Sequence, residues 1–254
     1  MRIISFSADG IRDAAKNGLY DWLSEQDADF ICIQDLRCSE YDLQEDLYFP
    51  REYNAYFFDD INGKENGVAI YCRKLPKAIM TGLGFTDFDM EGRYIQADYE
   101  NLSVGCLLAP QAEPGNEEQL GRKREFFNLL QHHLLKVRNK RREFIICGNW
   151  QIAHSAADVQ DTSANSSRPG FLAEERQWMD EIVEAGYVDA FREVNSDRDE
   201  FSWWPDGTPG ENGWRTDFHL ISKGLKYSVD HGAIYKLKQF SSHAPIIMDY
   251  DIEV

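Results

Sequence analysis

Phe144-Ile145-Ile146-Cys147-Gly148-Asn149-Trp150-Gln151-Ile152-Ala153-His154 decides how the chain is read. Four apolar residues end on a glycine, and polar side chains follow at once. A run of that length bounded by Gly predicts a buried strand, although periodicity alone does not separate it from a buried helical segment. Ligands and chemistry in an α/β sheet gather just beyond the carboxyl ends of strands. Here that place holds two amides, Asn149 and Gln151. Both are uncharged, and neither can take up a proton as a base.

The neighbouring segments supply the rest of an α/β alternation. Residues 122–137 predict an amphipathic helix, with Phe126, Leu129, Leu130, His133, Leu134 and Val137 at i, i+3, i+4 spacing. It runs into the basic stretch Lys136, Arg138, Lys140, Arg141, Arg142. Upstream, residues 3–6 and 29–34 read as strands around a helix at 19–26 whose Leu19, Trp22 and Leu23 share a face. Residues 53–58 and 68–72 read as strands joined through a turn, and 93–99 and 102–108 as a hairpin through Glu100-Asn101. Downstream, 155–170 reads as a surface loop. Residues 173–185 read as a helix with Glu174 and Glu175 at its positive end and Gly186 closing it. Strands are expected at 188–191, 201–204, 214–222 and 246–250. With no linker and no repeat, one α/β domain over 1–254 is expected.

The charge balance restricts the partners. There are 27 basic and 44 acidic side chains, a net charge of −17. Phosphate neutralisation carries most non-specific nucleic-acid affinity. A free-standing nucleic-acid binder is therefore not expected, and contact with DNA or RNA needs a local basic patch or a partner. The five cysteines form no CxxC pair, so reduced, buried thiols are expected rather than a disulfide or zinc site. No run approaches the ~20 apolar residues of a membrane span, and the first residues lack the apolar core of a signal peptide. A soluble cytoplasmic protein without membrane contact is expected.

Six stretches then line up. They are Ser5-Phe6-Ser7-Ala8-Asp9-Gly10, Cys32-Ile33-Gln34-Asp35-Leu36, Leu107-Leu108-Ala109-Pro110, Cys147 to His154, Trp214-Arg215-Thr216-Asp217 and Ser241-Ser242-His243-Ala244-Pro245. Their order and spacing resemble the exonuclease III-type branch of the endonuclease/exonuclease/phosphatase superfamily, and the resemblance covers essentially the whole chain. It implies a four-layer α-β-β-α sandwich of the DNase I-like kind, with a cleft at one end where those nucleases hydrolyse a phosphodiester using a divalent metal. The branch carries Asn where Ser7 stands, Glu at Asp35, Tyr at Leu108, Asp at Asn149, Asn at Gln151 and Asp at Ser242. Asp217 and His243 match it.

Each departure has an expected consequence. Asn149 cannot activate water as the Asp does. Ser242 is expected to leave His243 without an orienting carboxylate. Gln151 is a methylene too long, Leu108 lacks a phenol, and the shorter Asp35 draws a ligand back from a metal that demands near-ideal octahedral geometry. A degenerate site is expected, with no catalytic residue, no metal and no cofactor.

That set of departures resembles one group in the branch, the catabolite repression control proteins. The likeness extends through Tyr71-Cys72-Arg73-Lys74-Leu75-Pro76, Lys140-Arg141-Arg142-Glu143 and Phe201-Ser202-Trp203-Trp204-Pro205-Asp206. It implies a non-enzymatic translational co-repressor in carbon catabolite repression, acting with Hfq on A-rich mRNA sites and able to form a homodimer. Lys136, Arg138, Lys140, Arg141 and Arg142 would then be the RNA or partner surface, with Lys223, Lys226, Lys236 and Lys238 as a second candidate. The alternative is a surviving metal-dependent phosphodiesterase or abasic-site endonuclease using Asp35, Asp217 and His243.

Overall fold

The computed structural model describes residues 1–254. Its strands are β1 (Arg2–Ser7), β2 (Phe30–Gln34), β3 (Asn54–Phe58), β4 (Val68–Cys72), β5 (Ala78–Thr81), β6 (Tyr94–Asp98), β7 (Leu102–Leu108), β8 (Glu143–Asn149), β9 (Tyr187–Asp189), β10 (Asp217–Ser222), β11 (Val229–Ile234) and β12 (Ile246–Tyr250). The helices are α1 (Ile11–Lys16), α2 (Leu19–Ser24), α3 (Glu117–Val137), α4 (Thr162–Asn165), α5 (Ala173–Glu184) and α6 (Ala190–Val194).

The strands form two six-stranded sheets, ordered β11-β12-β1-β2-β4-β3 and β5-β6-β7-β8-β10-β9. Each sheet has one parallel pair at its centre, β1 with β2 and β7 with β8, and every other pairing is antiparallel. Parallel neighbours need a crossover. Helices α1 and α2 supply it in one sheet and α3 in the other. The alternation along each central strand then sorts side chains to two faces. Ile3, Cys32, Ile70, Val104, Cys106, Ile145, Cys147 and Met248 meet between the sheets in one buried cluster. Phe126, Phe127, Leu130 and Trp178 of α3 and α5 pack on the outside of one sheet. Trp22 and Leu23 of α2 pack on the outside of the other. The result is the expected α-β-β-α sandwich. All five thiols are free and buried, and no helix is long and apolar enough to cross a membrane.

Several local expectations are corrected. The stretch expected as a strand at 188–191 ends with β9 at Asp189 and turns into α6. Residues 201–204 form only isolated bridges, Trp203 with Trp214 and with His243. The edge strand β5 went unread because its residues are mostly exposed, and β11 because its register shifts between Val229 and His231. On α3 the inward stripe includes Lys123 and Phe127, whereas Leu129 is exposed. The segment 155–170 is not wholly a surface loop. Asp158 within it is buried and pairs with Arg192 and Arg215, each at 2.8 Å.

Candidate active-site cleft

Both parallel pairs finish at the same end of the sandwich, and this places the site. Ser7 is opposite Gln34 in one sheet; Leu108 and Asp217 are both opposite Asn149 in the other. Gly148 lets this junction close. Its φ is +144°, and a Cβ there would lie 2.0 Å from the Leu107 carbonyl oxygen. Asn149 follows, fully buried, and ties the sheets together by donating from Nδ2 to Ser7 Oγ at 3.3 Å. Its Oδ1 accepts from the Gln151 backbone N–H at 3.0 Å.

His243 is not left without a carboxylate, which corrects the expectation built on Ser242. Asp217, at the start of β10, holds the imidazole: Nδ1 donates to Oδ2 at 2.8 Å, and the Ser202 hydroxyl donates to the same oxygen at 2.6 Å. Both side chains are buried. Burial works to lower the His243 pKa, but the charge and hydrogen bond of Asp217, helped by Asp9 and Asp35, outweigh it and raise it. With Nδ1 committed, the proton on Nε2 is the one that can be exchanged, and Nε2 makes no hydrogen bond within the protein. Ser242 serves a different carboxylate. Its backbone N–H donates to Asp9 Oδ2 at 2.9 Å and its hydroxyl to the same oxygen.

Arg37 lies between the remaining two carboxylates. Its Nε and Nη2 bond both oxygens of Asp35, at 3.1 and 2.6 Å, and Nη2 also reaches Asp9 Oδ1 at 3.3 Å. Burial works to raise the Asp9 pKa, but His243, Ser242 and Arg37 outweigh it and hold it below the usual carboxylate range. Burial raises the Asp35 carboxyl, and Arg37 offsets only part of that. Asp9, Asp35, Arg37 and Gln151 all sit at positive φ, between 51° and 58°. Left-handed non-glycine residues cost about 1–3 kcal/mol each and gather where function requires them.

The donor set does not fit the metal that the resemblance implied. No group of three or more His, Cys, Asp or Glu side chains is placed to hold a metal ion. Ser7, Leu108, Asn149, Gln151 and Ser242 bring no charge, and Arg37 already engages both oxygens of Asp35.

Beyond Asp35 opens a cleft of about 750 Å³ lined by Arg37, Lys64, Arg93, Arg122 and Gln151 among others. Glu91 ion-pairs with both Arg93 and Arg122. Gln151 lines this cleft, and its backbone oxygen accepts from buried Lys123 Nζ at 2.7 Å. The basic run is elsewhere. Arg122 is near the N-terminus of α3, whereas Lys136 to Arg142 lie at and beyond its C-terminus, which at ~1.5 Å per residue is over ~20 Å away. Two of the five are already engaged: Arg138 donates to the Ala185 carbonyl at 2.9 Å, and Arg142 pairs with Asp98 at 2.6 Å. His154, outside the cleft, bonds Asp180 at 2.7 Å.

Sequence reading missed Asp9, Arg37, Ser202 and Lys123. Asp9 stood within one of the aligned stretches, with no role assigned to its side chain. Nothing in the sequence showed that Arg37 folds back onto two carboxylates.

Comparison with known proteins gives the family. The Endonuclease/Exonuclease/phosphatase family model matches residues 5–233. An exodeoxyribonuclease of Bacillus subtilis (strain 168) is 30% identical over 251 residues, spanning 97% of this chain and 98% of that protein. The DNA repair nuclease APEX1 of Danio rerio is 28% identical over 254 residues, 98% of this chain and 81% of that protein. The fold superposes on an AP endonuclease from Archaeoglobus fulgidus with a TM-score of 0.90 at 23% identity, covering 99% and 100% of the two chains. These findings overturn the expectation of a non-enzymatic co-repressor with a pseudoenzyme site. Both of these curated relatives, matched over nearly the full length of this chain, are named as nucleases, and the His243–Asp217 pair is whole. The chain belongs to the Endonuclease/Exonuclease/phosphatase family.

Proposed function

We propose that the protein hydrolyses phosphate esters of DNA, as an exonuclease or abasic-site endonuclease, with His243 and Asp217 as its proton-handling pair. The observation that carries this is the 2.8 Å bond between His243 Nδ1 and Asp217 Oδ2, set where the sheet ends converge. The names of the relatives support the substrate class.

Asp217 fixes the imidazole tautomer and favours the imidazolium, as a carboxylate beside a histidine does. His243 then holds a proton at Nε2 that can be donated to a phosphoryl or leaving oxygen as charge builds there. Arg37, Lys64, Arg93 and Arg122 present guanidinium and ammonium groups to phosphate along the cleft. In the same reading, exposed Lys136, Lys140 and Arg141 meet backbone phosphates away from the reacting group.

The test is incubation of highly purified protein with an abasic-site duplex, a 3′-recessed duplex and a 3′-phosphoryl end, with Mg²⁺ or Mn²⁺ and with EDTA. Turnover of at least one substrate is expected, and its absence from the His243→Ala protein. Activity that is equal in both proteins identifies a contaminant and removes the proposal.

A further inference from the structure

We infer that Arg37 is a built-in cation that takes the place of a divalent metal at the Asp9–Asp35 end of the cleft. The carboxylates alone would be a poor arrangement. Asp35 is largely enclosed, with a side chain 16% exposed, and Asp9 is 27% exposed. Two partly desolvated carboxylates on neighbouring loops repel each other and require a counter-charge. Arg37 supplies it on the same turn, two residues from Asp35.

The clamp is built into the backbone. Asp35 and Arg37 both hold left-handed conformations, with φ of 58° and 51°. Their turn is locked from both sides. Gly10 N–H donates to the Asp35 carbonyl at 2.9 Å and Ile11 N–H to the Leu36 carbonyl at 2.9 Å. Leu36 N–H donates to the Gly67 carbonyl at 3.2 Å and Arg37 N–H to the Asn66 carbonyl at 2.9 Å. The resulting position brings Nε and Nη2 together onto one carboxylate, the fork geometry that suits guanidinium and that an ammonium cannot reproduce. Nη1 also donates to the Asp9 carbonyl at 3.3 Å. Asp9 is itself anchored by the Ser242 N–H and hydroxyl. A metal ion would have to displace Arg37 to reach Asp35. The Arg37 side chain is still half exposed and lines the cleft, and its second Nη1 N–H takes no part in these bonds, so that donor stays available to a phosphate oxygen.

The inference does not require that the protein cut DNA, because it is read by metal binding alone. Titration calorimetry with Mn²⁺, supported by the Mn²⁺ electron paramagnetic resonance signal, would compare the wild type with Arg37→Ala, Arg37→Gln and the double variant Arg37→Ala/Asp35→Asn. Thermal unfolding would confirm that each is folded, and Arg37→Gln serves if Arg37→Ala does not fold. The freed carboxylates should bind Mn²⁺ at least about tenfold more tightly than the wild type, a gain of ~1.4 kcal/mol. That gain should vanish in the double variant. Equal affinity of wild type and single variants, whether measurable or undetectable, overturns the inference, and so does a gain that persists without Asp35.

Discussion

Replacing Lys123 by Met should cost about 3–5 kcal/mol of stability and loosen the active-site cleft together. Lys123 and Glu175 are 1% and 0% exposed, and their charged atoms are 2.6 Å apart. Burial lowers the Lys123 pKa and Glu175 opposes it. Lys123 Nζ also donates to the Gln151 carbonyl, holding a residue whose φ is 56°. The other Glu175 oxygen accepts from the Gly170 and Leu172 N–H groups at 2.6 and 2.9 Å. Met fills nearly the same volume, so the loss is electrostatic rather than a cavity. It leaves a carboxylate buried without its cation, and breaking a buried pair from one side costs roughly 3–5 kcal/mol. For a chain of this size that is a fall of roughly 10 °C in melting temperature. Urea unfolding followed by tryptophan fluorescence reads it, with Glu175→Gln and the double variant closing a cycle. Gln keeps an oxygen for the two backbone donors, so the double variant should recover part of the loss. A loss below about 1 kcal/mol, the worth of a surface pair, or strict additivity, would refute the reasoning.

Other outcomes follow from the same geometry. Asp217→Asn should lower the His243 pKa and slow turnover steeply; the comparable change in serine proteases costs about 10⁴-fold. Because the raised imidazole acts in its protonated form, wild-type activity should fall as pH rises through a value above the ordinary ~6.5, and Asp217→Asn should move that limb down; a limb that stays put refutes the pairing. Gly148→Ala forces a Cβ onto the Leu107 carbonyl and should cost more than about 3 kcal/mol; wild-type melting would contradict it. Acid should destabilise the fold in two windows. Burial holds His219 down to about 3. A base depressed on folding stabilises above its unfolded value, so this contribution erodes as pH falls from ~6.5, by about 3 kcal/mol at pH 4. Arg215 and Arg192 outweigh burial and hold Asp158 at about 2, so its contribution is lost between ~3.8 and that value. A flat unfolding free energy from pH 6.5 to 4 would refute the first window.

The sandwich was legible because its central strands are apolar runs that end abruptly, and because α3 and α5 carry a clear stripe. The edge strand β5, mostly exposed, carries no such signal, and the apolar run at 201–204 suggests a strand where the chain makes only isolated bridges. The site was legible in position and misread in content. Alignment of short motifs placed Ser7, Asn149, Asp217 and His243 at one end, as found. It could not show which carboxylate meets which side chain. Asp217 is 26 residues from His243, and only the register of β10 against β8 brings it there; Ser242, adjacent in sequence, faces Asp9 instead. A reading that counted replaced residues therefore underrated the pair that remained.

The central claim is that the His243–Asp217 pair performs hydrolysis where the sheet ends converge. Single-turnover reaction of 5′-labelled abasic, 3′-recessed and 3′-phosphoryl duplexes tests it most directly, comparing wild type, His243→Ala and Asp217→Asn purified identically on each. Cleavage by the wild type that falls by at least about 10²-fold in both variants is the predicted result. No cleavage by the wild type with any divalent metal or none, or equal cleavage by all three proteins, would contradict it.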